Sequence, residues 1–211
     1  MVIILVTGVS GPLLAQKASD FYSLSARPSS GIGFRVGLNY STPSVTAAVV
    51  KPPFFTSHLG GVEPQFGYYL GGFLYKDLAR DRLTFRLDAT LQMKSARAAY
   101  NGNAVFNATY YYLGVSPLIG LQLTDRLTIY TGPDVNVQIT RGKSWGKGYP
   151  LELGINARVT YSFGRFGVEA GYFRGFTRID RFEAGGISGG PVINDIYNQH
   201  VQTGINYRLG Q

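Results

Sequence analysis

The clearest pattern in the chain is the alternation of Leu83, Phe85, Leu87, Ala89, Leu91 and Met93 with Thr84, Arg86, Asp88, Thr90 and Gln92. A helix would scatter these residues around its axis, whereas a strand sorts them onto one apolar and one polar face. The run exceeds the roughly 5–6 residues usual in a soluble sheet and fits the about 9–11 that a tilted strand needs to cross a bilayer. The same period predicts further strands over 31–40, 66–75, 127–140, 151–161, 166–177 and 201–209, and a less regular one within 105–121. In that last segment Tyr110, Tyr111 and Tyr112 are consecutive and Pro117 falls inside, which predicts a bulge.

The connections between these strands alternate. Long loops are expected over 41–63, 94–104, 141–150 and 178–198, and short turns at KDLARDR (76–82), QLTDR (122–126) and SFGR (162–165). An even number of strands, with short turns at one end and long loops at the other, is the plan of an outer-membrane barrel. The expected fold is therefore all-β: an eight-stranded antiparallel up-and-down transmembrane β-barrel. Alternation is symmetric, however, and a soluble eight-stranded ligand barrel has the same period with its faces exchanged.

Charge bears on that choice. The polar faces hold Arg35, Arg86, Arg158 and Arg208 against Asp88, Asp134, Glu152 and Glu169, while the apolar faces are almost free of charge. Charge on a lipid-facing surface is costly, so the charged set belongs inside. An eight-stranded barrel is only wide enough for side chains or one small ligand, so these residues must pair and plug the lumen. Tyr40, Phe66, Tyr75, Tyr161 and Tyr207 stand near strand ends and suit interfacial girdles. Lys94, Arg97, Arg141, Lys143, Lys147, Arg178 and Arg181 fall in or beside the expected exposed loops, where phosphorylated lipopolysaccharide would be a natural counterpart.

Composition refines this picture without redirecting it. At 211 residues the chain is one domain, with 28 glycines, 15 tyrosines and only 15% charged residues. With no cysteine there is no disulfide framework, no thiolate nucleophile and no Cys-based metal site. The formal net charge of +8 favours anionic partners in general. Residues 1–16 read as an export signal, too short and too interrupted by Gly and Pro to span as a helix, although no Lys or Arg precedes the apolar run; a buried N-terminal strand is the alternative. Residues 17–30 form a short periplasmic lead and 31–211 the barrel.

Several stretches together give a resemblance: Leu14-Ala15-Gln16, FLYKDLARDRLTFRLD (73–88), LIGLQLTDRLTIYTGPD (118–134), FGVEAGYFRGFTRI (166–179) and GINYRL (204–209). The sequence resembles the small outer-membrane β-barrel family of Bacteroidota that includes the PorT-like proteins. The resemblance implies eight antiparallel strands, extracellular long loops and outer-membrane residence, with secretion assistance in some members. Such barrels usually finish on an aromatic residue, whereas here Tyr207 is followed by Arg-Leu-Gly-Gln.

Catalytic and cofactor chemistry has little to build on. A lipid hydrolase or acyltransferase would need a Ser with a positioned His and an acid, and His58 and His200 are the two histidines. His58 follows Ser57, and His200 lies near Asp195, but neither spacing specifies a triad or a metal site. TGVSG (7–11) and GGISGG (185–190) lack the context of a phosphate loop, and the dispersed basic residues argue against nucleic acid. No cofactor is expected. The function classes carried forward are a non-enzymatic barrel serving envelope structure, adhesion or secretion assembly, a barrel enzyme acting on envelope lipid, and a soluble lipocalin-like binder.

Overall fold

The structure is a computed structural model in which residues 30–49, 62–78, 82–100, 103–141, 149–185 and 191–209 are described. The strands are β1 (Ser30–Ser41), β2 (Ser44–Val49), β3 (Val62–Glu63), β4 (Gln65–Asp77), β5 (Leu83–Tyr100), β6 (Asn103–Gln122), β7 (Leu127–Arg141), β8 (Leu151–Phe163), β9 (Phe166–Gly185) and β10 (Pro191–Leu209). From β4 onward each of these strands pairs antiparallel with the next, and β1 pairs both with β4 and with β10, from Ile32↔Leu209 to Ser41↔His200. The sheet therefore closes on itself and leaves no open edge around the belt.

The two short strands extend existing staves. Strand β2 pairs with β10 at Val192–Tyr197, above the point where β1 ends, and the Thr42 amide donates to the Gln199 carbonyl at 2.9 Å in between. Likewise β3 stands above β4, with Val62 and Glu63 opposite Ala98 and Arg97 of β5. Ten segments thus make eight staves, as the alternation predicts.

Which face is inside follows from the burial of each strand. Along β8, every second residue is buried from Glu152 to Ser162, and the residues between them are exposed. Across the barrel the buried faces carry Arg35, Arg86, Asp88, Asp134, Glu152, Arg158 and Glu169, whereas Phe66, Phe34, Leu70 and Phe176 are 70%, 57%, 56% and 64% exposed. A soluble barrel has the opposite arrangement, so the fold is a transmembrane β-barrel with an apolar exterior. Aromatic pairs mark both rims of the apolar belt: Tyr40 against Phe66 at 5.0 Å above, and Phe166 between Phe163 and Tyr207, at 6.2 and 4.9 Å, below. Tyr75, expected in a girdle, is instead buried and faces the lumen, because it shares the phase of Tyr69 and Phe73.

Two of the expected long loops are strand. Residues 94–100 and 103–104 continue β5 and β6, with Lys94 paired to Tyr110 and Tyr100 to Asn103, and one register shift at Ala98/Ala99. Most of 178–198 is likewise the upper part of β9 and β10, paired from Tyr197↔Arg178 to Pro191↔Gly185. The polar composition of these stretches marks where the lipid-facing belt stops, not where backbone pairing stops. The expected irregularity in β6 is present: its pairing with β7 shifts between Tyr111 and Tyr112 and lapses around Pro117, which has no amide to give to the ladder. At the opposite end the β6–β7 and β8–β9 connections are tight, and Gly164 turns β8 into β9 at φ 63, in the left-handed region that glycine enters freely. The expected export signal and lead, up to residue 29, lie outside the described residues, as do Lys143, Lys147 and His58.

Candidate functional site

The inward face of β5 carries Thr84, Arg86, Asp88, Thr90, Gln92 and Lys94 in unbroken phase, all of them buried. At its centre Asp88 is a hub. Its Oδ2 accepts from Arg35 at 2.5 Å and from Arg158 at 2.6 Å, and its Oδ1 accepts from Arg86 at 2.6 Å. Glu169, from β9, accepts from Arg35 at 2.5 Å and more distantly from Arg86 at 3.5 Å, and it faces Arg158 as an ion pair at 3.9 Å. Tyr69 and Asn206 also donate to Glu169, at 2.8 and 3.3 Å. Six strands converge here, and every charged member is at least 97% buried.

Charged hydrogen bonds of this kind are the strong ones, and in so narrow a space they must also offset the loss of hydration of five ions. Aromatic residues on β4 help. Arg35 lies over the Tyr69 ring at 4.3 Å, Arg86 over Phe73 at 3.9 Å, and Arg208 over Tyr75 at 5.1 Å. The least polar inner face of the barrel is thus the wall against which three guanidiniums stack. These rings take the space that glycines leave: a Cβ on Gly33 would lie 2.3 Å from the Phe73 ring, and one on Gly37 2.5 Å from the Tyr69 hydroxyl.

Above this cluster lies a second one. Lys94, expected in an exposed loop, is 1% exposed and donates to Glu152 at 2.6 Å. Its ammonium also lies 4.5 Å from the Phe173 ring centre and 4.9 Å from that of Tyr112. The correction follows from the period of two: β5 keeps its phase past Met93, so residue 94 points the same way as residues 86 and 88. His200 stacks on Phe173 at 4.8 Å and its Nε2 meets the Gln202 amide nitrogen at 2.6 Å. It is fully buried and faces the lumen, while Asp195 pairs with Arg181 at 2.7 Å, so the expected neighbourhood of these two residues is one of sequence only.

The other expected lumen residues do not join the central cluster. Asp134 is buried and accepts from Asn156 at 3.2 Å. Arg208 is half-buried at the lower mouth, where it donates to Ser162 at 3.3 Å and borders a cavity of about 20 Å³ shared with Tyr75, Thr84 and Gln122. Four cations against four anions therefore do not form one network. The central cluster holds three arginines and two carboxylates, and Glu152 pairs with a lysine.

At the long-loop end Arg97 pairs with Glu63 at 3.3 Å, both about two-fifths exposed, and Arg141 ends β7. Arg181 grips Asp195 through two nitrogens, at 2.7 and 3.0 Å, and Arg178 approaches the same carboxylate at 3.7 Å while lying 4.4 Å from the Tyr149 ring centre. The Arg181 hydrogen bond holds the Asp195 carboxyl below the usual carboxylate range. Tyr110, on β6, donates to Asp180, on β9, at 3.0 Å across the top of the lumen, joining strands that are not neighbours in the sheet.

No family model and no curated protein matches the chain. Among solved structures it is similar to the outer membrane protein OprG from Pseudomonas aeruginosa, with 12% identity, a TM-score of 0.54, and coverage of 89% of this chain and 99% of that one. Neisserial surface protein A is 12% identical with a TM-score of 0.49, over 86% of this chain and 100% of that one. At such identity the likeness to OprG speaks to the fold alone, and it is the fold of a small outer-membrane barrel.

Proposed function

We propose that the chain is a non-enzymatic integral protein of a Gram-negative outer membrane that carries no aqueous pore and acts through its external surfaces, in envelope structure, adhesion or secretion assembly. The observation that carries this reading is the central cross-section: Arg35, Arg86, Arg158, Asp88 and Glu169, with Tyr69 and Phe73, fill the lumen while the outer face is apolar. The motifs quoted above favour membership of the small Bacteroidota barrel family. Arg97, Arg141, Lys143, Lys147, Arg178 and Arg181 are the residues through which phosphorylated lipopolysaccharide or an envelope protein would be met. Burial of His200 in the lumen favours a packing role over one in lipid chemistry.

The test is direct. The purified chain should need detergent, should show heat-modifiable gel mobility and should give no conductance steps in planar bilayers. A freely soluble monomer would overturn the membrane reading, and stable ion conductance would overturn the plug. Envelope lipid composition should be unchanged by His200→Ala and His58→Ala; an altered lipid profile would favour the enzyme.

A further inference from the structure

The outer face of β9 reads Phe166, Val168, Ala170, Tyr172, Arg174, Phe176. Arg174 is an ionised, exposed side chain in phase with these outward apolar residues, between Tyr172 and Phe176. Its strand partners are Ile155 on β8 and Gln199 on β10, and it stands two residues above Tyr172, whose partner Val201 pairs in turn with the rim residue Tyr40. The cation thus lies at the upper rim of the apolar belt, on the long-loop side.

A guanidinium there is not neutral in energy. Arg on the lipid face costs about 2–4 kcal/mol at the midplane and roughly 0–1 near the interface. Its neighbours do little to offset that cost. Arg174 donates one hydrogen bond to the Gln199 side-chain oxygen, which also accepts from the Tyr172 hydroxyl at 3.1 Å. Among the described residues no carboxylate lies within ion-pairing distance, so most of its five donors face outward. The backbone is also irregular at this point: between Gln199↔Arg174 and Tyr197↔Arg178, β9 advances four residues while β10 advances two. Such bulges re-aim side chains beside functional sites.

We propose that Arg174, with Tyr172 and Gln199, forms an exterior site for the phosphate of an outer-leaflet lipid. A lipid is favoured over free phosphate because the polar trio is set in apolar surface: Phe176, Val201, Ile155 and Leu153 around it are 64%, 51%, 44% and 39% exposed and would take acyl chains. The site rests on the membrane reading above. It differs from the basic residues at the barrel top in meeting the lipid from the side, at the aromatic rim.

The experiment is native mass spectrometry of the full chain in zwitterionic micelles, titrated with diphosphorylated lipid A. Arg174→Gln should weaken binding about tenfold, the loss of one charged hydrogen-bonding partner. Arg174→Lys should recover only part of it, because a point charge replaces a fork. Arg165→Gln, the same change of charge in the exposed β8–β9 turn, should bind like wild type. Lipid A stripped of phosphate should bind wild type no better than the diphosphorylated form binds Arg174→Gln. Equal binding by wild type and Arg174→Gln, an equal loss in Arg165→Gln, insensitivity to the phosphates, or no binding by wild type would each overturn the site. Heat-modifiable mobility of every variant shows that the barrel is folded. Failure of the wild type to insert into phosphatidylcholine vesicles would instead sink the membrane reading, and the two failures are read separately.

Discussion

Asp88→Asn keeps the size of the hub and removes its charge. In the wild type, Asp88 holds three guanidinium nitrogens at 2.5, 2.6 and 2.6 Å, and Glu169 holds one of those arginines at 2.5 Å and the others at 3.5 and 3.9 Å. Loss of the Asp88 charge leaves three cations facing one anion, and among the described residues the carboxylate that remains to Arg158 is that of Glu169, at 3.9 Å. One pair of charges about 4 Å apart at an effective dielectric of about 20 is worth about 4 kcal/mol. These terms do not add, and the new amide oxygen still accepts one hydrogen bond worth about 1 kcal/mol. Removing one partner of a buried pair costs about 3–5 kcal/mol, and a hub with three partners belongs at the upper end of that range.

Glu152→Gln provides the internal comparison. Its single cation, Lys94, keeps the Phe173 and Tyr112 rings at 4.5 and 4.9 Å, so about 2–3 kcal/mol is expected. The assay is equilibrium urea unfolding in phospholipid vesicles, followed by heat-modifiable gel mobility. The double variant Asp88→Asn with Arg158→Met should cost less than the sum of its single changes, because it removes the cation left stranded. An Asp88→Asn variant no less stable than Glu152→Gln, or strict additivity in the double variant, would refute the hub.

Three further outcomes follow from the same geometry. Gly33→Val should block barrel assembly or lower stability by at least about 1–3 kcal/mol, since even its Cβ would lie 2.3 Å from the Phe73 ring and 2.5 Å from the Tyr207 carbonyl oxygen; the folded fraction on a gel without heating measures this. The Asp195 carboxyl, held low by Arg181, should titrate below the unperturbed value of about 3.9, and Arg181→Gln should move it upward in an NMR titration. Because its folded pKa is depressed, its contribution to holding the upper β9–β10 hairpin is present above the unfolded pKa and is lost as pH falls through the folded value, which hydrogen exchange in that hairpin should register. Lys94 should be unreactive to amine-modifying reagents in the folded barrel and reactive after unfolding, a contrast that an exposed lysine would not give.

The strands were legible because lipid and a narrow polar lumen enforce a strict period of two, and Leu83 to Met93 obeys it without exception. Two things were not. Apolar content shows where a strand leaves the membrane, so β5, β6, β9 and β10 read shorter in sequence than they are, and Lys94 reads as a loop residue although its phase with Arg86 and Asp88 places it inward. Partner choice was hidden for a different reason. Which carboxylate meets which arginine depends on the register of strands far apart in sequence, and Asp88 and Arg158 come from staves that are not neighbours. The sequence did carry a signal for Arg174, a charge at an outward position between Tyr172 and Phe176, but it becomes informative only once the outer face is known to be apolar.

Strand length says where a plugged barrel can act. Strands β6 and β9 each run 20 residues. At about 3.3 Å per residue and a tilt of about 40° they rise roughly 50 Å, against an apolar belt of about 25 Å. Much of the upper wall therefore stands clear of the membrane as paired backbone and not as loop. Tyr110 and Asp180 tie β6 to β9 there, and Arg181 and Arg178 are already oriented on Asp195. A partner that meets side chains held in place by a sheet loses less conformational entropy on binding than one that must order a loop. With the lumen filled by ion pairs, this raised wall and the lipid-facing belt around Arg174 are the surfaces on which recognition can be built.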